Sequence, residues 1–252
     1  MSVAPSYKPI GNSAGQSGAL NLRIQLPPIA DATTPDAGST KLERAARVLR
    51  EAILRGDLVP GQKLKQQELA EWLDMSATPV REVLRILVAE GLLEHMPNKG
   101  VQVAQVSYEE TEEITPIRAA LERLAVEKSI LYLTEQELAN LQELQHQFEQ
   151  AWQRIDLPQV RRYNYEFHSA IYRGSRSPVL CTMIERVWPK FPTDLLWMIP
   201  GRSESSIAQH CAILDAIRTR DASRAGELMA DHILTAGRSI VGFLRSQSPS
   251  SS

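Results

Sequence analysis

Apolar residues recur at intervals of three and four along most of this chain, which is the spacing of amphipathic helices. The first such stripe begins near Lys41 and ends at Gly56, because glycine commonly terminates a helix. A second helix is predicted at Gln66–Leu73. A third begins within Ser-Ala-Thr-Pro at 76–79, where Ser76 or Thr78 is predicted to cap the free amides and proline is tolerated in a first turn, and continues to about Glu90. Its inward residues are predicted to be Val80, Val83, Leu84, Leu87 and Val88.

Two short strands follow the third helix. They are predicted at Leu92–Met96 and Val101–Val106, joined by Pro-Asn-Lys-Gly at 97–100. Three helices followed by a hairpin make up a winged helix-turn-helix. The N-terminal fold is therefore predicted to be of that type.

From residue 107 to 244 every segment has the helical period, and no strand pattern intervenes. The fold class is therefore mostly α, with the winged helix-turn-helix followed by an all-α helical bundle. The predicted helices are Tyr108–Leu131, Glu135–Arg154, Leu157–Arg173, Pro178–Pro189, Ser203–Arg220 and Ala222–Leu244.

These patterns divide the chain into four parts. Residues 1–40, rich in Ser, Gly, Ala, Pro and Thr, are predicted to be a disordered tail. Within them Leu20–Leu26 alternates as a strand would, either as a transiently extended stretch or as a segment docked on the folded body. The winged helix-turn-helix domain is predicted at 41–106, the all-α domain at 107–245, and a polar tail at 246–252.

Composition excludes several classes of protein. A formal net charge of −2 argues against coating nucleic acid by bulk charge, and residues 41–106 hold ten basic and nine acidic residues. Two cysteines offer no disulfide framework and suit a reducing cytoplasm. No apolar run reaches a membrane span and no secretory signal is evident, so a cytoplasmic protein is expected.

The third helix carries the candidate DNA contacts. Ala77, Arg81 and Arg85 lie four residues apart, opposite its apolar face, so this stripe can enter a major groove. Ser76, Thr78 and the N-terminal amides suit a phosphate oxygen. The alternative is that both arginines form surface pairs with glutamates of the same helix.

The hairpin tip supplies further contacts. Asn98, Lys99 and Gly100 lie there; lysine can meet a phosphate, and glycine permits close backbone approach.

The run ELAEWLDMSATPVREVLRILVAEGLL, preceded by GDLVPGQKL and followed by PNKGVQVA, resembles the DNA-binding domain of GntR-family bacterial transcription regulators. The all-α remainder resembles the FCD effector domain of the FadR-like branch. Members often have Arg at the position of Ala77, so the resemblance does not imply the family's usual operator preference.

Four residues of the bundle form a candidate metal site. Asn164 and His168 share one helix face because they are four apart. His210 and His232 lie about eleven residues on either side of the Arg220-Asp221 turn, so an antiparallel hairpin places them at one height, roughly 16 Å along its axis. Asn and three His suit a borderline divalent metal, zinc or nickel, although each histidine alone is equally typical of a hydrogen-bonded interior residue.

The resemblance adds ligand patterns for this site. Many FCD domains bind metal through D/N-x-x-F-H followed by two further histidines, matched here by Asn-Tyr-Glu-Phe-His at 164–168 and by His210 and His232. Asn replaces the commoner Asp. An effector carboxylate could complete the metal's coordination and be clamped by Arg118, which lies in the Arg-x-x-Leu-Glu motif common to FCD domains. Trp197 and Arg202 are further candidate lining residues; a surface pair of Arg118 with Glu122 is the alternative.

The sequence thus predicts a homodimeric, non-enzymatic transcription regulator that binds double-stranded operator DNA and responds to a small organic acid. Two alternatives stay open. One is a metal-dependent hydrolase that uses the three histidines to activate water. The other is an architectural DNA binder whose helical domain senses nothing.

Overall fold

The computed structural model describes residues 39–96, 100–105 and 107–247. The predicted disordered tail up to residue 38, including Leu20–Leu26, lies outside the described residues. The same holds for residues 97–99 and 106 and for the chain from 248 onward.

The first described part is a three-helix unit with a small sheet. Its elements are α1 (Lys41–Leu54), β1 (Lys63–Leu64), α2 (Gln66–Trp72), α3 (Ala77–Ala89), β2 (Leu93–Met96) and β3 (Gly100–Val103). The sheet is antiparallel in the order β1-β3-β2, with Leu93 opposite Val103. The sequence did not predict β1, because two residues are too few to show an alternating pattern.

The core of this unit follows the apolar stripes. Leu49 of α1, Leu69 of α2 and Leu87 of α3 are fully buried together. Four of the five residues predicted to face inward on α3 are buried, and Val88 is half-buried. Burial of these side chains holds α3 against the domain by one face only, so its opposite face is left to solvent.

The second part is a bundle of six helices. They are α4 (Tyr108–Ile130), α5 (Glu135–Gln153), α6 (Leu157–Gly174), α7 (Pro178–Val187), α8 (Arg202–Arg218) and α9 (Ala222–Gln247). The predicted fold class is confirmed. Two 3₁₀ segments at Trp188–Lys190 and Thr193–Met198 were not predicted. They lie where Pro189 and Pro192 interrupt the helical hydrogen-bonding pattern, so α7 ends earlier than expected.

Local chemistry sets the helix ends that matter for the site. Thr134 and Glu137 form a capping box at the start of α5, and Ser107 and Glu110 form another at α4. Asp221 caps α9 by accepting a hydrogen bond from the Arg224 amide at 3.0 Å. The short α8–α9 turn makes these two helices an antiparallel hairpin.

The two parts meet where the end of α1 and the residues after it face α6 and the segment after α7. Arg55 Nε lies 3.1 Å from Glu166 Oε1 in an ion pair. A groove between the parts is lined by Leu54 and Leu58 on one side and by Tyr165 and Trp188 on the other. Trp188 therefore lies at the junction between the two parts.

Candidate functional site

The exposed face of α3 carries the predicted DNA contacts. Ala77, Arg81 and Arg85 are all exposed, while Val80 and Val83 on the opposite face are fully buried. The structure thus leaves this face free to enter a groove, as a recognition helix requires.

One of the two arginines has the surface partner that the alternative interpretation allowed. Arg85 Nη1 donates to Glu82 Oε1 at 2.7 Å, and both side chains are exposed or half-exposed. Such a pair is worth at most about 1 kcal/mol, so a phosphate or base edge can displace the glutamate. Glu90, the other proposed partner, binds Arg50 of α1 instead.

The N-terminus of α3 is open to an anion. Ser76 occupies the N-cap position, but its side chain makes no capping hydrogen bond, contrary to the prediction that Ser76 or Thr78 caps this helix through its hydroxyl. Ser76 and Thr78 are exposed. The backbone is nevertheless fixed, because Gln66 Nε2 donates to the Ala77 carbonyl at 2.7 Å. Free amides and exposed hydroxyls suit a phosphate oxygen.

Of the predicted hairpin tip, only Gly100 is among the described residues. It is exposed, begins β3 and has a φ of +91° with open space around it. A side chain there would be strained, which explains the glycine. Asn98 and Lys99 lie outside the described residues, so their DNA contacts stay predictions.

Three of the four candidate metal ligands converge. His168 comes from α6, His210 from α8 and His232 from α9, and all three are buried. One ring nitrogen from each lies within 4.8 Å of the others. The ring centroids of His210 and His232 are 4.7 Å apart. Asn164 is buried one turn before His168 on α6.

The first imidazole is oriented by a carboxylate. His168 Nδ1 lies 3.0 Å from Glu122 Oε2, and both residues are buried. Burial by itself would raise the pKa of Glu122, but the Arg118 guanidinium and the His168 hydrogen bond lower it to about 2. The carboxylate is therefore ionised and accepts from Nδ1 of His168, which leaves Nε2 as the ring nitrogen available to a metal.

The second imidazole is oriented by an amide. His210 Nδ1 lies 2.9 Å from Gln145 Oε1. The amide orientation of Gln145 follows from its other contact, in which Nε2 donates to Glu149 Oε1 at 2.8 Å. Since the NH₂ group faces the carboxylate, Oε1 faces the imidazole and accepts from Nδ1.

The third imidazole is also oriented by an amide. His232 Nδ1 lies 2.9 Å from Gln209 Oε1, and the same oxygen accepts from Arg202 Nη1 at 3.1 Å. Because arginine can only donate, the atom facing both partners must be the amide oxygen. All three histidines thus have Nδ1 held by an acceptor, which leaves Nε2 as the possible ligand atom of each ring, as in most metal-binding histidines.

The spacing of the free nitrogens fits one metal ion. His210 Nε2 and His232 Nε2 are 3.3 Å apart, and two nitrogens on one tetrahedral zinc ion lie about 3.3 Å apart. Burial lowers the pKa values of His210 and His232 well below the usual range, so both imidazoles are neutral, the form that binds metal. Two lone pairs that face each other in a buried site are stabilised by a cation between them.

Arg118 is buried, not at the surface. It does pair with Glu122, as the alternative interpretation proposed, but the pair is only 2% and 0% exposed. The guanidinium lies between two aromatic rings, 4.2 Å from the Trp188 centroid and 4.5 Å from that of Phe191. Its Nη1 has no hydrogen-bond partner among the described residues. An anion is the natural partner for that nitrogen.

Arg202 and Trp197, the other two candidate effector-binding residues, are also buried near the three histidines. Arg202 is 3% exposed, and burial lowers its pKa. Trp197 is 7% exposed and packs edge-on against Phe148, whose ring lies 5.4 Å from that of His210. The remaining histidines are elsewhere: His146 is exposed beside Gln150, and His95 is exposed on β2.

Sequence reasoning missed the residues that orient the imidazoles. Gln145 and Gln209 were not singled out, Glu122 was considered only as a surface partner, and Trp188 was not considered. Gln209 directly precedes His210, but nothing near Gln145 in the chain points to a residue 65 positions away. The sequence did contain a local signal on α4, where polar residues recur at the spacing expected for one helix face. The structure shows that these residues are buried: Thr111, Thr115, Arg118 and Glu122.

Comparison with known proteins decides the family. Residues 41–103 match the bacterial regulatory proteins of the gntR family, and residues 113–235 match the FCD domain. The HTH-type transcriptional regulator McbR of Escherichia coli (strain K12) is 34% identical over 187 residues, which is 73% of this chain and 85% of that protein. The chain belongs to the GntR family of bacterial regulators, with an FCD domain. The predicted resemblance is confirmed.

Other GntR-family proteins agree. The HTH-type transcriptional repressor GlaR of the same strain is 29% identical over 205 residues, covering 75% of this chain and 90% of that one. The solved structure of E. coli McbR/YncC superposes with a TM-score of 0.71 at 32% identity, over 83% of this chain and 99% of that one. A putative GntR regulator from Rhodococcus sp. RHA1 has a TM-score of 0.65 at 23% identity, over 81% and 99%, which shows the same fold.

These matches make the chain a DNA-binding transcriptional regulator of the GntR/FCD type. No helix in the described part of the chain combines the length and the apolar character that crossing a membrane requires.

Proposed function

We propose that this GntR-family regulator is a cytoplasmic homodimer whose operator binding is controlled by a small carboxylate at a metal site in the FCD domain. The observation that carries the proposal is the set of three imidazoles with held Nδ1 protons and free Nε2 atoms. Zinc or nickel would be held by His168, His210 and His232, with Asn164 as a fourth ligand. The metal would supply a Lewis-acidic position for a carboxylate.

The chain's own residues would complete the effector site. Arg118 offers its unpartnered Nη1 to the carboxylate and is kept in place by Glu122 and by the ring of Trp188. Trp188 contacts both the His168 ring, at 5.3 Å, and the groove between the domains. An effector that binds one position of Trp188 better than another would therefore shift the DNA-binding domain.

We propose a binding role in preference to a catalytic one. Glu122 is the carboxylate that contacts His168, but it is ionised and already engaged by Arg118 and His168. It is therefore poorly placed to accept a proton from water. The relatives are transcriptional regulators, which agrees with a sensing role.

An apolar stripe on the outside of α4 supports the dimer. Ile117, Leu124 and Leu131 are seven residues apart and 46%, 46% and 70% exposed, and Met183 of the neighbouring α7 is 51% exposed. A seven-residue repeat keeps one face of a helix toward a partner. We propose that this face pairs with the same face of a second copy.

Metal analysis tests the sensing site. The wild-type protein is expected to retain about one zinc or nickel ion per chain after dialysis, measured by plasma mass spectrometry. His232→Ala should lose it, while His146→Ala, an exposed histidine outside the cluster, should not. A metal-free wild type that cannot be reloaded would contradict the proposal and favour an architectural DNA binder.

Gel shifts with DNA from upstream of the protein's own gene test operator binding and its control by an effector. Arg81→Ala should weaken binding, whereas Arg154→Ala, an exposed arginine on the bundle, should leave it unchanged. A metal-loaded sample should change its DNA affinity when short organic acids are added. Unchanged retardation with every acid would contradict effector control.

Sedimentation tests the dimer. Leu124→Glu should shift the protein toward monomer, whereas Ile155→Glu, at a still more exposed apolar position just after α5, should not. A dimer that withstands Leu124→Glu would place the interface elsewhere.

A further inference from the structure

A strip of buried polar residues leads away from the imidazole cluster along α8. Ser203, Ser206 and His210 are separated by three and four positions, so they share one helix face. They are 1%, 1% and 0% exposed. A face that enters a protein core is normally apolar. This one is polar over two turns.

The two hydroxyls on that strip have no hydrogen-bond partner among the described residues. A serine in a helix commonly donates to the carbonyl four residues earlier, as exposed Ser205 does to Gly201 at 2.9 Å. Leaving a buried hydroxyl unpaired costs about 1–3 kcal/mol. Ser203 and Ser206 are thus poised for a partner from outside the chain.

Arg202 adds a positive charge to the strip. Its Nη1 donates to Gln209, seven residues later, so the side chain extends along α8 toward the imidazoles. Gln209 also accepts from His232, which places the guanidinium one amide group away from the cluster. Its Nε and Nη2 have no partner among the described residues. A buried guanidinium with two unpaired donors requires an anion.

Trp197 supplies another unpaired donor. Its buried indole Nε1 has no partner in the described part of the chain, and it reaches the same region through Phe148, which contacts His210.

The charges of the site are unequal. Arg118 has Glu122 as its counter-ion. No carboxylate among the described residues forms an ion pair with Arg202, whose contact in the site is the neutral Gln209; the Asp231 carboxylate acts on it only without direct contact. A ligand with one carboxylate, held at the metal and Arg118, would leave this second guanidinium without a directly paired anion.

We infer that the effector is a short dicarboxylate. Its first carboxylate occupies the position at the metal and Arg118, and its second is bound by Arg202, Ser203, Ser206 and the Trp197 indole. This inference rests on the proposed carboxylate-sensing function and narrows its ligand from organic acids in general to those with two anionic groups.

Calorimetry on the full-length, metal-loaded protein tests this with matched pairs of acids: butyrate with succinate, pentanoate with glutarate, and hexanoate with adipate. At least one dicarboxylate should bind about 10-fold to 100-fold more tightly than its partner, the range expected for charge-assisted hydrogen bonds. 4-Hydroxybutyrate, with a neutral second group, should bind like butyrate.

Variants locate the second subsite. Ser206→Ala and Arg202→Met should each reduce the dicarboxylate preference to about 3-fold or less while the matched monocarboxylate keeps its affinity. Ser205→Ala, an exposed neighbour on the same helix, should leave the preference intact. Because Arg202→Met also frees Gln209, its metal content is measured alongside, and Ser206→Ala provides the test that leaves this contact in place.

The outcomes separate the two proposals. Equal affinity for both members of every pair, or a preference that survives Ser206→Ala and Arg202→Met, overturns the second subsite while the sensing function stands. If no acid of either kind binds the metal-loaded protein, both proposals fail.

Discussion

Replacing Glu122 by Gln removes the one carboxylate among the described residues that forms an ion pair with Arg118, with almost no change in side-chain volume. In the structure Nε and Nη2 of Arg118 each lie 2.6 Å from Glu122 Oε1, and His168 Nδ1 lies 3.0 Å from Oε2. All of these groups are buried. Glu122→Gln therefore leaves a desolvated guanidinium without its counter-charge.

Breaking a buried ion pair by removing one partner costs about 3–5 kcal/mol. For a protein of this size each kcal/mol lowers the melting temperature by roughly 2–4 °C, so a fall on the order of 10 °C is expected for the FCD domain. The matched control is Glu127→Gln on the same helix. Glu127 pairs with Arg123 four residues earlier, but that pair is 30% and 46% exposed and is worth at most about 1 kcal/mol.

Two measurements on the chelator-treated proteins give the difference in stability between Glu122→Gln and Glu127→Gln. Urea unfolding monitored by circular dichroism gives the free energy of unfolding, and calorimetry gives the melting temperature. The double variant Arg118→Met/Glu122→Gln removes both charges and should recover much of the lost stability, because the penalty comes from the unpaired charge. If Glu122→Gln is no less stable than Glu127→Gln, or if the double variant is as unstable as the single one, an unpaired buried Arg118 is not what destabilises the bundle.

Three further predictions follow from the same structure. Gln145→Leu, which removes the acceptor of the His210 Nδ1 proton, should weaken metal binding about 10-fold to 100-fold in competition with a chromophoric chelator; unchanged affinity would mean that the amide does not orient the ring. Removing the metal should lower the unfolding free energy of the FCD domain by about 2.7 kcal/mol, relative to a sample in which the free metal concentration is 100 times the dissociation constant. The change should appear as a lower melting temperature in calorimetry. His146→Ala should show the same change, and His232→Ala should show none. Leu87→Ala, at a fully buried position of α3, should cost about 2–5 kcal/mol and abolish DNA retardation while leaving metal content at the wild-type level; lost metal would show that the two domains unfold together.

Much of the site was predictable because it depends on spacing within helices. Asn164 and His168 are one turn apart on α6, and the turn at Arg220-Asp221 sets the heights of His210 and His232 on the α8–α9 hairpin. Helical geometry then brings the imidazoles to one level, and the structure shows the three rings together.

The partners of those rings were not predictable in the same way. Gln145 lies on α5 and Glu122 on α4, and each reaches its histidine only because separate helices pack side by side. Since a glutamine or glutamate at a helical position is usually solvated, its type alone does not mark it as buried. Only the packed bundle identifies these residues and fixes the imidazole tautomers.

Helix α4 shows most clearly what the amino-acid sequence determined and what the tertiary structure decided. The sequence by itself determined that it is a helix over about Tyr108–Leu131 and that Arg118 and Glu122, four residues apart, share one of its faces. Which face points inward was decided by the tertiary structure: Arg118 and Glu122 are buried, while Ile117 and Leu124 face outward. The physical reason is that a charge can enter the interior only where other elements provide its partners. For Arg118 those partners are Glu122, four residues along the same helix, and the rings of Trp188 and Phe191, which packing brings to it from about seventy residues away.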